Sequence, residues 1–189
     1  MGWHTLARAE LENEHVLLRP LVADDREALR RIAEEEEFER VFAGLLAGQR
    51  AGRSAVFHIA DRTSGRSAGT VSFDDLAEAD GRVEIGRPWP ATAGPGTDVG
   101  HWATYLLLEH AFEGLRAQRA GFRTDVLDLR ARRELRDIGA TEEGVLRSYE
   151  PAPGGRRRDA VCFSVLAFEW PEVKRRLAAG PRGRRSKTH

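Results

Sequence analysis

The run Arg82-Val83-Glu84-Ile85-Gly86-Arg87-Pro88-Trp89-Pro90 constrains this chain more than any other segment. Its first half has the apolar alternation of a strand. Its second half cannot continue one, because glycine interrupts the pattern and proline has no N–H to give to a ladder. A sheet that contains this strand must bend or splay at Gly86. Directly afterwards comes the loop ATAGPGTDVG, and then HWATYLLLEHAFEGL, in which Trp102, Tyr105, Leu106, Leu108, Ala111 and Phe112 recur at helical spacing. A broken strand therefore leads through a glycine loop into an amphipathic helix.

The flanking segments extend this alternation. HVLLRPLV, from His15 to Val22, reads as a strand, and Ala23-Asp24-Asp25 offers the N-cap of a helix. From Asp24, the positions Leu29, Ile32, Ala33, Phe38, Val41, Phe42 and Leu45 keep mostly helical spacing, with a break expected near Glu36. The acidic run Glu34–Glu37 is read as a solvated face. SAVFHIADR and SAGTVSFDDL are two strands of a hairpin joined by Thr63-Ser64-Gly65-Arg66, with Gly65 at a positive-φ turn position. Beyond the first amphipathic helix, RAGFRTDVL is a strand and LRARRELRDIG a second helix. Two strands around a Pro/Gly-rich loop follow, and WPEVKRRL closes the domain.

At 189 residues the chain fits one domain, placed at 1–179, and the tail 180–189 (GPRGRRSKTH) has no apolar face and is expected to be disordered. The 30 basic and 30 acidic side chains cancel, so partners must be argued from local clusters rather than from net charge. One cysteine, Cys162, excludes an internal disulfide and lies in an apolar run where a buried hydrophobe is expected. The N-terminus lacks the layout of a secretory signal, and no apolar stretch approaches the roughly 20 residues that span a bilayer, so a cytoplasmic location is expected.

Several segments, taken in order, resemble the Gcn5-related N-acetyltransferase superfamily: EHVLLRPL at 14–21, DRTSGRSAGTVSF at 61–73, VEIG at 83–86, YLLLEHAFE at 105–113, RTDVLDLRARRELRDIGATEEGVLR at 123–147 and RDAVCFSVLAFEWPEVKRRL at 158–177. The Arg-rich helix that ends in Ile-Gly-Ala before Glu-Gly-Val-Leu-Arg is similar to the branch of ribosomal-protein alanine acetyltransferases. The resemblance implies an α/β (α+β) fold with a mixed, mostly antiparallel central sheet of about six to seven strands, splayed in the middle and flanked by helices. It also implies an acetyl-CoA donor, no metal, and a primary amine acceptor on a protein N-terminus or a small metabolite.

The resemblance assigns Glu84, on the splayed strand, as the base that takes a proton from the attacking amine. The single-residue spacing turns its side chain away from those of Val83 and Ile85. The coenzyme's diphosphate would meet the loop and first helical turn at Gly96, Thr97, Val99, Gly100 and His101, where free amides and the helix dipole favour an anion. Here the chain departs from the family pattern. Asp98 stands where relatives carry glycine, Gly100 where they carry asparagine, and Thr104 where they carry a basic residue. On the second helix the family's asparagine and serine are replaced by Asp128 and Ala131; Asp128 still suits the donor's arm, or simply caps the helix. Tyr149 is the candidate phenol for protonating the thiolate. Trp89 is a candidate wall of the acceptor pocket, with core packing as the equal alternative, and His58 is read as a core histidine.

Three functions stay open on the sequence. The first is an acetyl-CoA-dependent N-acetyltransferase. The second is a relative that uses aminoacyl-tRNA or another carrier-borne donor, for which Arg156-Arg157-Arg158 and the RGRR tail would contact tRNA or a ribosomal surface. The third is a non-catalytic ligand-binding module on the same scaffold. Acceptor identity and oligomeric state, a homodimer included, are left undecided.

Overall fold

In the computed structural model, residues 3–33, 38–90, 93, 97–151 and 155–181 are described. Eight strands form one sheet in the order β1-β2-β3-β4-β5-β6-β8-β7. They are β1 (Leu11–Glu12), β2 (Val16–Pro20), β3 (Ser54–Asp61), β4 (Ser67–Ala77), β5 (Arg82–Ile85), β6 (Arg119–Asp125), β7 (Thr141–Pro151) and β8 (Arg157–Leu166). All neighbours run antiparallel except β5 and β6, which are parallel. The sheet exceeds the expected six to seven strands because the two-residue β1 adds a short edge beside β2. At the other edge β7 is exposed along nearly its whole length.

The helices are α1 (Arg26–Arg30), α2 (Phe38–Arg50), α3 (Asp98–Glu109), α4 (Leu129–Ile138) and α5 (Trp170–Ala178). The expected break near Glu36 falls between α1 and α2; residues 34–37 lie outside the described set. Asp25 does more than open a helix. It is buried, it is ion-paired with Arg19, and its Oδ2 accepts the Val22 N–H at 3.0 Å, which fixes the turn from β2 into α1. The β3–β4 turn has Gly65 at φ +69°, the left-handed conformation that glycine adopts at least cost.

Alternation within the strands creates two cores. Val16, Leu18, Phe57, Ile59, Val71, Phe73, Val83, Ile85, Ala120, Phe122, Phe163 and Val165 face α3, α4 and α5, which contribute Leu107, Leu135 and Val173 among others. On the opposite face Val56 meets Leu21, Leu29, Ala33, Phe38, Phe42 and Trp89, so that α1 and α2 cover the β3–β4 region. The described part of this second cover reaches Trp89 and leaves the polar face of β5, β6 and β8 beyond it.

The sheet splays where the glycine and prolines of 86–90 require. β5 pairs with β6 over four residues, from Arg82↔Arg119 to Ile85↔Phe122. Past that point β6 continues beside β8 to Asp125↔Ala160. The chain after β5 stays with β4: the Gly86 N–H donates to Ser72 O at 2.9 Å, and Trp89 and Thr70 exchange backbone bonds of 3.0 and 2.7 Å. A wedge opens between the two paths. Among the described residues no helix is long and apolar enough to cross a membrane.

Candidate active site

Cross-strand register sets a single row of residues across the polar face. Ser54 on β3 stands opposite Asp74 on β4, Asp74 opposite Glu84 on β5, Glu84 opposite Gly121 on β6, and Gly121 opposite Ser164 on β8. Partners in register share a face, so these side chains project together, away from the apolar rows on either side. A cavity of about 240 Å³ lies over the row, lined by Asp74, Glu84, Ile85, Gly86, Arg87, Arg123 and Glu150.

Two glycines shape it. The Glu84 carboxyl lies across Gly121, where an added Cβ would stand 2.8 Å from its carboxyl carbon. The Asp74 carboxyl lies across Gly86 in the same way, with its own carboxyl carbon 3.2 Å from such a Cβ. Neither glycine has a positive φ, so what each supplies is room rather than backbone freedom.

Glu84 sits at the closed end of the wedge with Val83 and Ile85 buried on the other face, as the alternation of VEIG requires. Burial raises its pKa above the ordinary carboxylate value, and the guanidinium groups of Arg123 and Arg119 oppose that rise; Arg123 Nε is 3.5 Å from Glu84 Oε2. Arg123 also donates to Tyr149 Oη at 2.6 Å and lies over its ring, 5.2 Å from the centroid. Glu84 and Tyr149 are thus joined through one arginine. Tyr149 itself is 43% exposed on the edge strand.

The other sequence candidates separate into two groups. Thr97 caps α3, its Oγ1 accepting the Gly100 N–H at 3.0 Å, and Val99 and Gly100 form the first turn with Asp98 exposed beside them. The amides of Asp98 and Val99 have no acceptor among the described residues. A β5–α3–β6 crossover places the start of α3 at the C-terminal end of β5, where the wedge opens. Gly96 lies outside the described residues. His101 is buried, its ring Nε2–H donating to Leu177 O at 2.8 Å, and burial lowers its pKa despite that bond, so its ring is turned to α5 as a neutral group.

The remaining candidates pack or cap. Asp128 caps α4, accepting the Ala131 N–H at 2.9 Å. Trp89 packs on Phe38 in the second core, with centroids 5.3 Å apart, and is not among the residues that line the cavity. His58 is a core residue whose Nε2 is 2.8 Å from Ser67 Oγ. Cys162 departs from the expected buried hydrophobe: it is half-buried, because it pairs with Arg123 in register and so belongs to the polar face.

Sequence reasoning missed Asp74 and Arg123. Their signal was the alternation Ser72-Phe73-Asp74 and Gly121-Phe122-Arg123, in which polar residues interleave with core ones. Placing them beside Glu84 requires the strand register. The register shift between Asp74 and Ala77 puts that beyond inspection of the sequence.

No protein-family model and no curated relative matches the sequence. The likeness lies with solved structures. An acetyltransferase structure from T. thermophilus is 33% identical, with a TM-score of 0.77 over 90% of this chain and 95% of that one. A GCN5-related N-acetyltransferase from Brucella melitensis is 25% identical, with a TM-score of 0.80 over 91% and 85%. The RimJ protein of Mycobacterium smegmatis, solved in complex with CoA-disulfide, shares the fold at 24% identity and a TM-score of 0.71, over 90% of this chain and 92% of that one. With its parallel seam, its wedge and a carboxylate on the short central strand, the chain belongs to the GCN5-related N-acetyltransferase family.

Proposed function

We propose that the chain moves an acetyl group from acetyl-CoA to a primary amine, on a peptide N-terminus or a small metabolite, with Glu84 as the general base. The observation that carries this reading is the position of Glu84: laid over Gly121 at the closed end of the wedge, facing the 240 Å³ cavity, with its pKa raised by burial. A base that works near neutral pH needs such a shift. The CoA-disulfide held by the mycobacterial RimJ protein supports a CoA-borne donor. In this chain the wedge would take the donor's arm and the amides of Asp98 and Val99 its diphosphate.

The acceptor nitrogen attacks the thioester carbonyl as Glu84 takes its proton. A C–N bond forms, the C–S bond breaks, and the thiolate leaves and is protonated. Of the two protons that an incoming ammonium gives up, one ends on sulfur and the other in water. Arg123 keeps Glu84 oriented and draws Tyr149 toward the same end of the sheet. The Arg-rich α4 followed by Ile138-Gly139-Ala140 supports a place near the ribosomal-protein alanine acetyltransferases.

Titration calorimetry with acetyl-CoA, together with turnover of an alanine-initiated peptide, tests the reading. Glu84→Gln is expected to lower kcat by about 10²- to 10⁴-fold while leaving donor affinity within about twofold. Unaltered turnover would remove Glu84 from the mechanism, and absence of donor binding would remove the CoA reading.

A further inference from the structure

The cavity holds three carboxylates and two of them are already matched by cations. Glu84 faces Arg123 at 3.5 Å, and Glu150 takes two hydrogen bonds from Arg158, at 2.9 and 2.6 Å. Asp74 has no ion pair among the described residues; its one side-chain partner there is the Ser72 hydroxyl, donating to Oδ2 at 3.2 Å. Burial raises its pKa, and the Ser72 bond and Arg123 offset part of that rise. A desolvated carboxylate without a counter-charge is costly unless the charge is supplied from outside.

Its placement is as well defined as that of Glu84. Asp74 is opposite Glu84 in register, lines the same cavity, and rests in the space that Gly86 leaves open, as Glu84 rests over Gly121. Gly86 is the first residue of the splayed path, so Asp74 marks the cavity's rim on the β4 side while Glu84 marks its seam. Among the described residues, the only cationic side chains lining the cavity are Arg87 and Arg123, and Arg123 is already shared between Glu84 and Tyr149.

We propose that Asp74 holds the ammonium group of the acceptor beside Glu84, which makes it a substrate-binding residue that selects for cationic amines. The inference rests on the amine-acetyltransferase reading above. The missing counter-ion of Asp74 is then the substrate itself: the ammonium docks between the two carboxylates, loses its first proton to water, and gives its second to Glu84 as the nitrogen attacks.

The test uses alanine amide as the probe amine and acetyl-CoA as donor, with Asp74→Asn compared to Glu84→Gln and the wild type. Asp74→Asn is expected to raise KM for alanine amide by about 10- to 100-fold through loss of a charge-assisted contact, with kcat within about threefold and KM for acetyl-CoA unchanged. Glu84→Gln should show the reverse split. A wild-type KM in Asp74→Asn, or a loss confined to kcat, overturns the assignment while leaving the Glu84 reading intact.

A second measurement does not depend on turnover. The carboxyl ¹³C resonance of Asp74, identified by its absence in Asp74→Asn, is titrated with pH with and without alanine amide. Its midpoint is expected to fall by about one unit or more when the amine is present, since a nearby cation favours the carboxylate. A midpoint that does not move at saturating amine overturns the proposal.

Discussion

At the scale of single residues, the site depends on atoms that are missing as much as on those present. Gly121 lets the Glu84 carboxyl lie flat across β6, and any side chain there displaces it. Gly121→Ala is therefore expected to cost about 10²-fold or more in kcat/KM, because a misplaced base loses most of its contribution. Circular dichroism should show the fold retained. Arg123 gives a complementary prediction with a definite sign. As the proposed base, Glu84 would act in its ionised form, so activity is expected to fall as pH drops through its pKa, which burial raises above the ordinary carboxylate value. Arg123 opposes that rise, and Arg123→Gln should move the acid limb of the pH–kcat/KM profile to higher pH. A limb that moves to lower pH, or stays in place, would show that Arg123 does not set the ionisation of Glu84.

At the scale of elements, most of what positions the site could be read from sequence: the break after Ile85, the helix that follows the glycine loop, and the cap of α4 at Asp128 all follow from residue type. What could not be read was which polar residues the strands bring side by side, because a single bulge in β4 decides it. The role of His101 was equally hidden, since its acceptor, Leu177 O, lies 76 residues away in α5. Asp98, in the first turn of α3, would repel the diphosphate proposed to sit there, and Asp98→Gly is expected to tighten acetyl-CoA binding by about two- to fivefold in calorimetry. The β2–α1 turn relies on Asp25. Burial pushes its pKa up, but the Arg19 bond and the Val22 N–H outweigh this and hold it below the ordinary value. Stability from Asp25 is thus present above its unfolded pKa and lost as pH falls through the folded one. Asp25→Asn should destabilise the fold by about 2–4 kcal/mol at neutral pH in urea denaturation, with a smaller effect in acid.

At the scale of the whole molecule, one sheet serves two cores, with Trp89 in the core beneath α2 and Trp170 in the core shared by α3 and α5. Because the same strands wall both, the two faces are expected to unfold together. Denaturation curves of variants that each keep one of these tryptophans should coincide. Separate midpoints would mean that α1 and α2 leave the sheet on their own.

The four-residue seam between β5 and β6 has a mechanical meaning as well. Asp74 and Glu84 belong to the leaf that ends in β5, whereas Arg123, Tyr149 and Glu150 belong to the leaf that begins at β6. The 3.5 Å gap between Glu84 and Arg123 is therefore a gauge of how far the leaves stand apart. Whatever prises them open lengthens that gap, weakens the hold of the arginine on the carboxylate, and leaves Glu84 hungrier for a proton. The basicity of Glu84 is tied to the spacing of the two leaves.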